Sequence, residues 1–167
     1  MERSGLAPTL RGLLAYTIWA DRQVLESLAG LPEEELARDT GTSFGSILGT
    51  MSHLLGAEQV WLARFVGAPL EHLPSAADYS DLPTLAGGFT EFWPQLEVFL
   101  ASLAEEQVAT DFAWVNYKGE SHSAPFRQVV LHFVNHSTYH RGQVTALMRQ
   151  AGYAPPSTDL CYWRGAL

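Results

Sequence analysis

Four stretches of this chain repeat apolar residues at helical spacing over about twenty residues or more, and this constrains the fold before anything else does. The first runs from about Thr9 to Leu28, with Leu10, Leu13, Leu14, Thr17, Ile18, Val24, Leu25 and Leu28 near helical spacing; Gly30 and Pro32 end it. The second runs from about Phe44 to Val66, with Ser43 as the expected N-cap and Gly67 with Pro69 as the stop. The third spans about Leu85 to Glu106 and carries Pro94 inside it, which predicts a kink or an offset start. The fourth spans about Pro125 to Ala151, with Pro125 suited to a first turn and Gly152 to a C-terminal cap.

The connections are less regular. Residues 67 to 83 are polar, contain Pro69, Pro74 and Pro83, and are long enough to run the length of a bundle or to cover an opening. Phe112, Trp114, Val115 and Tyr117 precede a turn at Lys118-Gly119-Glu120, which predicts a small β-hairpin before the last helix. Together these features predict one all-α domain over residues 1–167, a four-helix bundle with one long crossover.

Charge and composition remove several function classes. The formal net charge is −8, and ten Lys and Arg form no run, so a nucleic-acid partner is not expected. No segment has the unbroken apolar length needed to span a bilayer, so no membrane partner is expected. The N-terminus reads as a helix rather than a signal peptide. One cysteine, Cys161, rules out an intrachain disulfide; it is expected to be a packed residue in a protein of the reducing cytoplasm.

Histidine is the chemically telling residue. Three of the chain's six lie four apart on the fourth helix: His132, His136 and His140. Residues four apart share a helix face, so an HxxxH pair can aim two imidazoles at one ion. At roughly 100° per residue, the apolar arc of this helix is set by Phe126, Val129, Val130, Phe133, Val144, Leu147 and Met148. His140 falls inside it and His136 at its edge, while His132 lies further round beside Gln128 and Tyr139. Imidazoles on a core-facing stripe cost desolvation unless something satisfies them, and a metal does so. A catalytic zinc site wants three protein ligands, so a third must come from another helix.

His53 on the second helix is the candidate. Projection puts it opposite the arc of Phe44, Ile47, Leu48, Met51, Leu55 and Leu62, on a face with Ser46, Gly49, Thr50, Gly56, Ala57 and Val60. It is either a surface histidine or part of a helix buried on both sides, and periodicity leaves both readings open. His72 in the crossover and His122 in the hairpin read as surface residues. Glu58 projects away from His53 and is not taken as a general base.

The segments LLAYTIWADRQVLESLAGLPEEEL, FGSILGTMSHLLGAEQVWLARF, LHFVNHSTYHRGQV and GYAPPSTDLCYW resemble the DinB/YfiT-like superfamily of metal-binding four-helix bundles over nearly the whole chain. The NHxxxHRGQ run is the most specific part. The resemblance implies that His53, His136 and His140 are metal ligands, and thus an inward-facing His53. It implies a metal-dependent transferase that activates a low-molecular-weight thiol against a small-molecule electrophile. Hydrolysis by a metal-bound hydroxide, and a non-catalytic metal or ligand binder in a stress response, are the alternatives. Zinc is the expected metal, with nickel and iron also suited to imidazole. The resemblance also implies a homodimer, which a second helix with two buried faces would fit. Asp21 stands where relatives often have asparagine. Arg141 and Gln143 belong to the signature, Arg141 as a brace of a helix end or interface and Gln143 as an aid to the histidines. The tail with Tyr162 and Trp163 packs back on the bundle or lines the pocket.

Overall fold

The structure is a computed structural model that describes residues 5–68 and 74–167, so His72 lies outside it. The expected long helices are present as α1 (Leu6–Leu28), α3 (Ile47–Val66), α4 (Leu82–Ser102) and α6 (Phe126–Gln150). Two short helices, α2 (Glu33–Ala37) and α5 (Glu105–Val108), were not anticipated. Strands β1 (Asp111–Val115) and β2 (Ser121–Pro125) pair antiparallel from Asp111 opposite Pro125 to Val115 opposite Ser121. The hairpin turn is held by Asn116, whose side-chain oxygen accepts from the backbone N–H groups of Lys118 and Glu120.

Helix α6 packs against both α1 and α3, and α4 packs against the same two from the other side. The core lies between them. Leu10 and Leu14 of α1, Leu54 and Leu55 of α3, Phe89 and Leu96 of α4, and Val130 and Val144 of α6 are buried there. Toward the hairpin the core becomes aromatic: Phe65 stacks on Phe99 and meets Phe112, Phe126 and Phe133. Because α3 contacts α2, α4 and α6 of its own chain, its two covered faces need no second subunit.

Four boundaries differ from the sequence reading. Helix α1 starts at Leu6 rather than at about Thr9. Helix α3 starts at Ile47, and its cap is Ser46, not Ser43: Ser46 Oγ accepts from Gly49 N at 2.9 Å. A turn intervenes, in which Thr40 N and Oγ1 both donate to the Gly45 carbonyl, and Gly45 takes φ +75°, a conformation glycine adopts at no steric cost. Phe44 therefore stays outside the helix. Helix α4 starts at Leu82, where Asp81 Oδ1 accepts from Thr84 N, and it runs unbroken through Pro94 to Ser102. The chain extends at Leu103 and Ala104, and α5 follows, so Glu105 is no part of the long helix. Its carboxylate instead accepts from Ala7 N in the first turn of α1 at 2.7 Å. A carboxylate there satisfies an otherwise orphaned helix donor. The ends of α3 and α6 follow expectation, with Gly67 and Gly152 left-handed just past the last turn.

The tail after α6 returns to α1. Tyr16 Oη donates to the Thr158 carbonyl at 2.7 Å, and Trp163 meets Tyr16 edge-on. Tyr162 and Cys161 are exposed, which corrects the expectation of a packed cysteine.

Candidate metal centre

His53 of α3 and His136 and His140 of α6 converge, and one ring nitrogen from each lies within 4.8 Å of the others. The ring centroids are 4.6 Å apart for His53 and His140, 5.4 Å for His53 and His136, and 4.3 Å for His136 and His140. His53 is half-buried, so its face of α3 is neither free surface nor sealed core. The bulky arc and the small-residue face are both covered, because Thr50, Ser52 and Gly56 are buried along with Leu54 and Leu55.

Neighbouring groups hold each ring. Phe44 lies flat on His53, with centroids 3.9 Å apart and planes 13° apart, and meets His140 edge-on. This stack is why the late start of α3 matters. Gly49 permits it, since a Cβ there would run into the Phe44 carbonyl. Gln143 Oε1 lies 2.7 Å from His140 Nδ1. An amide oxygen only accepts, so Nδ1 carries the proton and Nε2 presents a lone pair.

The cluster fits a metal by its donor chemistry. His140 Nε2 and His136 Nε2 face each other at 3.1 Å. Two lone pairs at that distance need one proton or one cation between them. Two imidazole nitrogens on one tetrahedral zinc, at about 2.05 Å each, stand about 3.3 Å apart. Electrostatics agree. Burial, then the nearby His140, lowers His53 to about 4. Burial, then His140, His53 and His132, lowers His136 to about 4 as well. Burial also lowers His140, against the pull of Gln143. The rings are thus neutral at neutral pH, the form a metal needs.

The other singled-out residues fall into three places. His132 is exposed and outside the cluster; it meets His136 at 5.8 Å and the Trp61 ring edge-on at 5.2 Å. Trp61 continues to Trp114 of the hairpin, on which His122 stacks at the surface, as expected for His122. Tyr139, also exposed, flanks His140. Arg141 does not sit at a helix end: it is buried in the middle of the bundle and donates to Asp21 at 2.7 Å. Glu58 is buried and accepts from Ser137. Sequence reasoning missed Phe44 as a wall of the site and Ser137 as a partner of Glu58. The available signal was spacing, since Ser137 and Arg141 each follow a cluster histidine by one residue.

Comparison with known proteins agrees with this architecture. The model of the DinB family matches residues 1–165. Protein DinB of Bacillus subtilis (strain 168) is 29% identical over 154 residues, covering 88% of either chain. The crystal structure of a DinB-like protein from Bacillus cereus ATCC 10987 superposes with a TM-score of 0.67 at 22% identity, over 87% of this chain and 94% of that one. Among the described residues no helix is long and apolar enough to cross a membrane.

Proposed function

The chain belongs to the DinB family, and on that footing we propose that it is a metal-dependent enzyme whose ion is held by His53, His136 and His140. The observation that carries this reading is the convergence of three imidazoles from two helices, with no cysteine or carboxylate joining them among the described residues. Three protein ligands leave coordination positions for other molecules, which is the arrangement of a reactive site rather than a closed structural one. A bound divalent ion, zinc first and nickel or iron as alternatives, supplies Lewis acidity that lowers the pKa of a bound thiol or water.

The protein's own residues set the geometry. Gln143 fixes the tautomer and orientation of His140. Phe44 clamps His53 between its ring and the pair on α6. Tyr139 and His132 border the cluster on the α6 side, where a small substrate would meet them. The reaction we favour is transfer of a small thiol to an electrophile.

The first test is elemental analysis of untagged protein beside His136→Ala. About one transition-metal ion per chain, lost in the variant, is the expected result. The loaded protein is then offered thiols with electrophiles, and hydrolysable esters and amides without thiol. Thiol-dependent turnover supports the transferase. Thiol-independent hydrolysis replaces it with a hydrolase, and metal uptake without turnover replaces both with a binding protein. A parent that takes up no metal refutes the site.

A further inference from the structure

Behind the histidines, two carboxyl groups and one guanidinium lie together in the middle of the bundle. Asp21 of α1, Glu58 of α3 and Arg141 of α6 are 0%, 1% and 1% exposed. Arg141 Nη1 donates to Asp21 Oδ1 at 2.7 Å, and Nη2 donates to Thr138 Oγ1 at 2.9 Å. Ser137 Oγ donates to Glu58 Oε1 at 2.6 Å. The Tyr16 ring closes the group, 5.5 Å from the guanidinium carbon.

The charges do not balance if both acids are ionised, since two carboxylates would face one guanidinium. A surplus buried charge is heavily penalised. The hydrogen bonds do not balance either. Among the described residues Asp21 Oδ2 and Glu58 Oε2 are both buried and both lack a partner, although the two side chains stand within hydrogen-bonding reach of each other. Two carboxylate oxygens cannot satisfy one another, but a single proton between them satisfies both and neutralises the group. Arg141 bonds to Asp21 directly, so Asp21 keeps the charge and the proton belongs on Glu58.

We propose that Glu58 is a neutral carboxylic acid that donates its proton to Asp21, and that this neutral cluster is a positioning device for His136 and His140. Burial, reinforced by the Asp21 charge, holds the Glu58 carboxyl well above the ordinary range, in keeping with that assignment. The positioning follows from sequence adjacency. Ser137 is anchored one residue after His136, and Arg141 one residue after His140. Two anchors one turn apart fix the rotation of α6 about its axis, and therefore the direction in which both histidines point. That second half rests on the metal reading above; the protonation of Glu58 does not.

The test begins with infrared spectroscopy of the full-length, metal-free protein at neutral pH. The parent is expected to show the C=O stretch of a protonated carboxylic acid, and E58Q to lack it. Absence of the band in the parent, or its survival in E58Q, overturns the assignment. Cobalt(II) titration tests the positioning. E58Q, whose amide can donate to Asp21 and accept from Ser137, should retain the parent affinity, while E58A should bind about tenfold or more weakly. Parent-like affinity in E58A, or a tenfold loss in E58Q, overturns the positioning role; should E58A not fold, the E58Q result decides it. If the parent binds no cobalt, the metal reading and the positioning role fail together, and the infrared band still decides the proton.

Discussion

Changing the two buried acids singly and together gives a sharp energetic prediction. In Glu58→Gln the amide NH₂ takes over the bond to Asp21 and the amide oxygen still accepts from Ser137. The variant loses no charge and no volume, so the expected cost is about 0.5 kcal/mol. In Asp21→Asn the Arg141 guanidinium loses its carboxylate, but Glu58 can release its proton and replace it. The expected cost is one charge-assisted hydrogen bond partly recovered, about 1 kcal/mol. The double variant has no such escape. A guanidinium that is 1% exposed is left without a counter-ion, and breaking a buried pair in that way costs about 3–5 kcal/mol. The coupling between the two sites is then about 1.5–3.5 kcal/mol, well outside the additivity of independent positions. Urea unfolding of all four proteins, compared at equal m-values, measures it. A double variant whose loss equals the sum of the singles within about 0.5 kcal/mol refutes the shared proton.

Two further outcomes follow from the site. His53 and His136 titrate at about 4 in the folded chain, against about 6.5 when unfolded, so below 6.5 the unfolded state takes up protons that the folded state refuses. The stability of the metal-free protein should therefore be level above about pH 7 and fall as the pH drops toward 4, by about 1 kcal/mol for each ring after discounting for solvent screening. Urea midpoints measured at pH 7 and pH 5 check this; an equal fall in a His53→Ala, His136→Ala double variant would refute it. Gln143→Leu should leave the fold intact and weaken metal affinity about tenfold, because His140 loses the partner that fixes its tautomer. Isothermal titration with zinc measures it, and unchanged affinity would show that the 2.7 Å bond orients nothing.

Much of this architecture was legible because helices declare themselves by period. The arc from Phe126 to Met148 placed α6 correctly and put His140 inside. The hairpin was legible in Trp114 and Val115 followed by Lys118-Gly119. His53 was not, because projection ranks faces by hydrophobicity, and a helix covered on both sides has no face that must be surface. The small residues beside it were the trace of that second covering. Phe44 was misplaced because its apolar side chain continues the helical pattern while the backbone at Gly45 has already left it. Asp21, Glu58 and Arg141 were obscure for another reason. Charged residues are read as solvated, and an ion pair between positions 120 residues apart leaves no local pattern.

The bond from Glu105 to the first turn of α1 bears on the order in which the chain can be completed. Ala7 and Glu105 are 98 positions apart, so everything from α1 through α4 must be made before this donor can meet its acceptor. Until then α1 is an unfinished piece, its first turn open to water. The segment after α4 is thus a latch rather than a spacer: when it closes on residue 7, α1 is finished by a residue that lies beyond α4 in the sequence.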